Sequence, residues 1–171
     1  ADQRRPVIFW NLTDRCNLSC THCYSSSGPE CGTGDELTTA EAHTFLDDLA
    51  VSNVPLVIFT GGEPLVRPDI WELAEYSREK GIKTALSTNG TLITDEVAKK
   101  IKRSGIEYAG ISLDGASAAT HDRFRNTPGA FDRAVAAFAC CRKAVSSISP
   151  GSGCCCCMAT RCALMIRAIR R

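Results

Sequence analysis

Three cysteines, Cys16, Cys20 and Cys23, stand close together in the stretch Cys16-Asn17-Leu18-Ser19-Cys20-Thr21-His22-Cys23-Tyr24. Three thiolates so near in sequence can converge on one corner of a metal cluster. A [4Fe–4S] cube has four irons, and a plain electron carrier fills all four with cysteine. Three cysteines leave one iron open to a ligand from elsewhere. The rival chemistry is a structural zinc held by the three cysteines and His22. Against it, His22 lies directly beside Cys23, an awkward bite for a tetrahedral site. Cys31, a little further on, reads as a free loop thiol.

These cysteines need a frame to hold them. They fall in a long segment from Thr13 to about Leu37, and loops of that length inside a domain are usually functional. Before it, Val7-Ile8-Phe9-Trp10 reads as a strand. After it, Thr38 and Glu41 have capping-box spacing, and Ala42, Phe45, Leu46 and Leu49 recur at helical spacing behind them. Leu56-Val57-Ile58-Phe59 is a second strand, closed by Thr60-Gly61-Gly62. A helix starting near Asp69 buries Ile70, Leu73 and Ala74 and stops at Gly81. Lys83 to Ser87 is a third strand. Thr94 caps a third helix, with Asp95 and Glu96 in its positive first turn. Gly105 follows, then a fourth strand from Tyr108 to Leu113. Phe131, Val135 and Phe138 predict a fourth helix. About four βα units in register imply an α/β fold of parallel strands with outer helices, either an open sheet or an arc of a barrel. His43 reads as a solvated helix residue, and Trp10 and Trp71 as packing residues.

The composition, 44% hydrophobic and 23% charged, is that of a globular protein rather than a disordered one. No apolar run approaches the roughly 20 residues of a membrane helix, and the first residues lack a secretory signal's apolar stretch. The reading is a soluble, cytoplasmic protein with no membrane partner. Residues 1–132 carry 13 Lys+Arg against 19 Asp+Glu, whereas residues 133–171 carry 7 Lys+Arg and no acid. Seven of the 11 cysteines lie in that second part, including the run Cys154 to Cys157 behind a Ser/Gly-rich linker. The basic end has no nucleic-acid motif and no interleaved aromatics, so no nucleic acid is expected as a partner. Two units are expected: residues 1–138, and a Cys/Arg-rich tail, 139–171, that is not a native domain and arises from a shifted frame or a truncated gene. A locus with an intact frame, and relatives sharing the tail, would sink that expectation.

The CxxxCxxC spacing followed by Tyr24 resembles the signature of the radical S-adenosylmethionine (SAM) superfamily. The resemblance extends over roughly Val7 to Phe138. It includes Gly61-Gly62-Glu63-Pro64 after the second strand, Ser87-Thr88-Asn89-Gly90 at the third, Ser112-Leu113-Asp114-Gly115 at the fourth, and His121-Asp122-Arg123-Phe124-Arg125 beyond it. It implies a partial (β/α) barrel, a relative of the eight-unit barrel whose strand ends converge on one face. It implies that Cys16, Cys20 and Cys23 bind a [4Fe–4S] cluster whose open iron takes SAM. Gly61 and Gly62 would let backbone approach the SAM amino group, with Glu63 holding that region. Ser87 and Asn89 would face the ribose or methionyl part, Ser112 and Asp114 would line the same face, and Arg125 would pair with the SAM carboxylate. Glu63 and Asp114 could instead merely cap helices. The resemblance assigns no acid–base or nucleophilic residue.

Within the superfamily, the approach to the cysteines and the phrase from Thr60 to Ile93 are similar to the enzymes of alternative haem biosynthesis. The expected function is reductive cleavage of SAM to a 5′-deoxyadenosyl radical acting on a small molecule, a modified tetrapyrrole. The electron would come from a donor such as ferredoxin or flavodoxin. The other readings are a peptide- or protein-modifying radical SAM enzyme, and a non-catalytic iron–sulfur fragment.

Overall fold

Strand residues alternate between two faces, and here only one face of each strand is packed under helices. The computed structural model describes residues 5–31, 34 and 36–146. Among them the order is β1 (Val7–Asn11), α1 (Thr39–Val51), β2 (Leu56–Thr60), a 3₁₀ turn (Pro64–Val66), α2 (Ile70–Glu79), β3 (Lys83–Thr88), α3 (Asp95–Arg103), β4 (Ile106–Ile111), α4 (Ala118–Arg125) and α5 (Ala130–Ser146). All three pairings are parallel, in the order β1-β2-β3-β4. Each crossover carries a helix, as parallel pairing requires. Trp10, Val57, Phe59 and Leu86 point into one core with Leu46, Ile70, Leu73 and Ile101. On the opposite face Phe9 is 71% exposed, so helices cover a single side of the sheet. This is the partial parallel α/β arrangement expected from the sequence.

Local signals explain most boundaries. Thr38 and Glu41 form a full capping box, and the Thr94 hydroxyl accepts the Val97 N–H. Gly81 and Gly105 take positive φ where helices hand over to strands.

Three readings are corrected. The fourth strand begins two residues early, at Ile106, because the turn at Gly105 feeds the chain straight onto the sheet and buries Ile106. The segment after it holds an extra helix, α4. It is short, it buries only His121, and its start is a Ser117 cap, so apolar periodicity left no trace of it. The last helix is therefore the fifth. Its buried stripe is Ala130, Ala134, Ala137 and Ala144, whereas Val135 is 44% exposed. The small stripe lets backbone approach, since a Cβ on Gly90 would sit 3.4 Å from Ala134 Cα. Residue 138 falls inside α5, and Cys140 and Cys141 pack partly buried against the core. The linker, the four-cysteine run and the Arg-rich end lie outside the described residues.

Candidate functional site

The cysteine loop leaves β1 at Leu12 and reaches α1 at Thr38, and one arginine holds both of its feet. Arg67, 6% exposed, donates from Nη1 to Leu12 O at 2.8 Å and from Nη2 to Leu37 O at 2.8 Å. Asp69 clamps the same guanidinium, with Nε–Oδ1 at 2.6 Å and Nη2–Oδ2 at 3.0 Å. Thr13 adds a hydroxyl bond to Glu36 across the loop base at 2.6 Å.

The loop then runs against the turn after β2. The Gly62 N–H donates to Thr13 O at 2.8 Å and the Glu63 N–H to Arg15 O at 2.9 Å. A Cβ on Gly61 would run into the Thr13 carbonyl, and one on Gly62 into the Arg15 carbonyl. The two glycines therefore admit the cysteine loop itself at close range.

Cys16, Cys20 and Cys23 are all free and half-buried. Each sulfur accepts an N–H. Cys16 Sγ takes Leu18 N at 3.4 Å and Asn89 Nδ2 at 3.8 Å. Cys20 Sγ takes Arg125 Nη1 at 3.6 Å, and Cys23 Sγ takes Ser27 N at 3.3 Å. Cys31 does the opposite, donating to Ser26 O. Burial pushes the Cys16 thiol up, and Glu63 and Cys20 add to that, against the Leu18 and Asn89 donors. Burial also raises Cys23, but the Ser25 hydroxyl and the N–H groups of Ser27, Ser25 and Ser26 outweigh it, so that thiol lies below its ordinary value.

Glu63 is fully buried. Its Oε1 accepts Leu65 N at 3.1 Å and Thr88 Oγ1 at 2.8 Å, and its Oε2 accepts Asn89 N at 2.8 Å. Glu63 does cap the 3₁₀ turn, but it also ties the end of β2 to the end of β3. Burial pushes its carboxyl up, opposed by these donors and by Arg125. Ser87 is half-buried at the end of β3, and Ser112 is exposed just past β4. Asp114 lies against Arg125, an ion contact at 2.5 Å from Nε to Oδ2 whose N–H is not aligned as a hydrogen bond. The Asp114 N–H donates to Nδ1 of buried His121 at 3.1 Å. Burial lowers the His121 pKa, with Arg125 adding to it, which agrees with a neutral ring accepting at Nδ1. Arg125 itself is only 14% exposed.

Glu63 and Asn89 thus meet the cysteine loop from the ends of β2 and β3, and Asp114 after β4 reaches it through Arg125. Thr21 fastens α4 to it, with both its N–H and its hydroxyl donating to Phe124 O at 3.0 Å. Arg67, Asn17, Thr88, Thr91 and His121 were not picked out from sequence. Each lies inside or beside a recognised motif, which is the signal that could have found them. His43 is corrected: its ring stacks on Tyr76 at 4.0 Å and pairs with Glu72 at 3.4 Å, rather than standing in solvent.

The donor set fits a [4Fe–4S] cluster. Three free thiols on one loop, all turned to accept N–H bonds, suit thiolate ligation. A structural zinc would instead need the three sulfurs on one ion, about 2.3 Å from it. A cube takes each thiolate at a separate iron.

A family model, described as the radical SAM superfamily, matches residues 10–152. The chain is 46% identical over 138 residues to the AdoMet-dependent heme synthase of Methanosarcina barkeri (strain Fusaro / DSM 804), covering 81% of this chain and 39% of that one. It is 44% identical over 130 residues to mycofactocin maturase MftC of Mycobacterium tuberculosis (strain ATCC 25618 / H37Rv), covering 76% of this chain and 32% of that one. It spans well under half the length of these curated relatives. Among solved structures, Streptococcus suis SuiB bound to S-adenosylmethionine superposes with a TM-score of 0.69 at 19% identity, covering 82% of this chain and 32% of that one, which shows a shared fold.

Proposed function

The chain belongs to the radical SAM superfamily, whose members are enzymes that use a [4Fe–4S] cluster and SAM, and from that membership we propose that it initiates radical chemistry on a modified tetrapyrrole. The observation that carries the cluster reading is the set of three sulfurs on the one loop after β1, each facing an N–H donor. When bound, the cluster and SAM supply reductive cleavage of the sulfonium to a 5′-deoxyadenosyl radical.

The chain's own residues would bind and orient. Cys16, Cys20 and Cys23 would hold three irons. Arg125, fixed by Asp114 and Cys20, sets a cation beside the cysteine loop where a carboxylate can be received. Gly61, Gly62, Ser87 and Ser112 would form the rim that SAM meets, and Glu63 keeps the ends of β2 and β3 together.

Similarity to a heme synthase supports the tetrapyrrole substrate. The comparable similarity to a peptide maturase supports a second reading, modification of a peptide or protein. A small redox protein of the ferredoxin or flavodoxin class would supply the electron. Residence in the cytoplasm is part of the same proposal; among the described residues no helix is long and apolar enough to cross a membrane.

The test is anaerobic. The protein is reconstituted with iron and sulfide, reduced, given SAM and assayed for 5′-deoxyadenosine, beside a variant with Cys16, Cys20 and Cys23 all changed to Ala. Deoxyadenosine from the unmutated protein alone is expected, with more formed when an iron tetrapyrrole is present. A cluster that survives the triple substitution would refute the assignment. Stimulation by a peptide and not by a tetrapyrrole would shift the substrate to the second reading.

A further inference from the structure

We propose that Asn89 is a positioning residue for the cluster rather than a contact to SAM: Asn17 and Thr91 lock its side-chain amide so that one N–H points at the sulfur of Cys16. The inference rests on the reading that Cys16 carries an iron of the cluster.

The orientation of the amide follows from its neighbours. Its oxygen accepts the Thr91 backbone N–H at 2.9 Å and the Thr91 hydroxyl at 2.7 Å. A reversed amide would set its own NH₂ against a backbone N–H, which has no acceptor to offer. The nitrogen must therefore face the other way. One of its hydrogens goes to Asn17 Oδ1 at 2.9 Å and the other to Cys16 Sγ at 3.8 Å. Asn17 closes the circle by donating from Nδ2 to Thr91 Oγ1 at 2.9 Å. Three side chains thus form a ring of hydrogen bonds between the cysteine loop and the residues after β3.

That ring uses up the amide. An asparagine side chain offers two donor hydrogens and two acceptor lone pairs, and all four are engaged within the protein. Asn89 is also 6% exposed, and its backbone N–H is held by buried Glu63. No hydrogen-bonding capacity remains for a ribose hydroxyl. What remains is an N–H fixed against a ligand sulfur. Such a donor favours added negative charge on the sulfur, so it stabilises the reduced cluster and raises its potential.

The full chain is reconstituted anaerobically as wild type, Asn89→Ala and Asn89→Asp. Three quantities are read: iron and sulfide per chain, the cluster's midpoint potential without SAM by redox titration with electron paramagnetic resonance, and the Kd for SAM. Asn89→Ala retains the backbone bond to Glu63 and all three cysteines, so full iron content is expected. Its midpoint shifts negative, with the reduction equilibrium falling about tenfold, about 59 mV for a one-electron couple. Asn89→Asp, of the same size but with a negative oxygen at the sulfur, shifts further in the same direction. SAM affinity stays within about twofold of wild type. Should the alanine variant lose its circular dichroism spectrum, the isosteric aspartate variant carries the test. An unchanged midpoint with SAM binding weakened tenfold makes Asn89 a SAM contact and overturns the proposal, and an unchanged midpoint with unchanged binding overturns it equally. A wild-type chain that takes up no cluster overturns the cluster reading as well, which separates the two failures.

Discussion

Replacing Arg67 by Met should loosen the whole cysteine loop without touching a cysteine. Methionine fills the space of the arginine stem but removes the guanidinium. Four bonds go with it: two to Asp69, one to Leu12 O and one to Leu37 O. Breaking a buried ion pair by deleting one partner costs about 3–5 kcal/mol, and each orphaned carbonyl adds about 1 kcal/mol. Asp69 keeps the Thr39 hydroxyl at 2.7 Å, and its side chain is 14% exposed, so some water reaches it. The low end of the ion-pair cost therefore applies, and with the two carbonyls the expected loss is about 5 kcal/mol, which is a large part of a typical domain's stability. The assay is urea unfolding of the metal-free protein under reducing conditions, followed by the fluorescence of Trp10 in the core and Trp71 packed against it.

The double variant Arg67→Met with Asp69→Leu should recover about half of the loss, because no buried charge is then left alone. Acidity provides a second arm. Burial raises the Asp69 carboxyl, but Arg67 and Thr39 outweigh it and hold it below its ordinary value. A depressed carboxyl contributes stability that is present above its unfolded pKa, about 4, and lost as pH falls through the folded one. The wild-type advantage over Arg67→Met should therefore narrow below about pH 4. A loss under about 1 kcal/mol, or a double variant as unstable as the single, would refute the reasoning.

Gly62→Ala should destabilise the metal-free protein by about 1–3 kcal/mol and reduce iron uptake, since its Cβ collides with the Arg15 carbonyl. Gly34→Ala, with open space around it, should change neither in the same melts and iron assays. Cys31→Ser should retain the full iron content, because Cys31 donates to Ser26 O instead of accepting. Cys20→Ser should lose cluster, and equal iron in the two variants would disprove the distinction drawn between these thiols.

The fold was legible wherever a pattern fits within a few residues. The Thr38 capping box, the Thr94 cap, the apolar strands and the glycines at helix ends are local chemistry, and the structure repeats them. α4 was illegible because eight residues with one buried side chain carry no periodicity. The stripe of α5 was misread because alanine, a weak hydrophobic signal, fills the close approach while Val135 faces out.

The same division runs through the site. The donor set belongs to the sequence by itself: three cysteines at metal-binding spacing, with glycines and polar residues at strand ends, are facts of residue type and order. What those residues touch was decided by tertiary structure. Gly61 and Gly62 admit the backbone of Thr13 and Arg15, Arg67 reaches carbonyls 55 and 30 residues away, and the amide of Asn89 is spent on Cys16, Asn17 and Thr91. The physical reason is that several of these partners are backbone N–H and C=O groups, which almost every residue carries alike. Residue identity therefore says which side chain can bond, and only the path of the chain says which backbone group it meets.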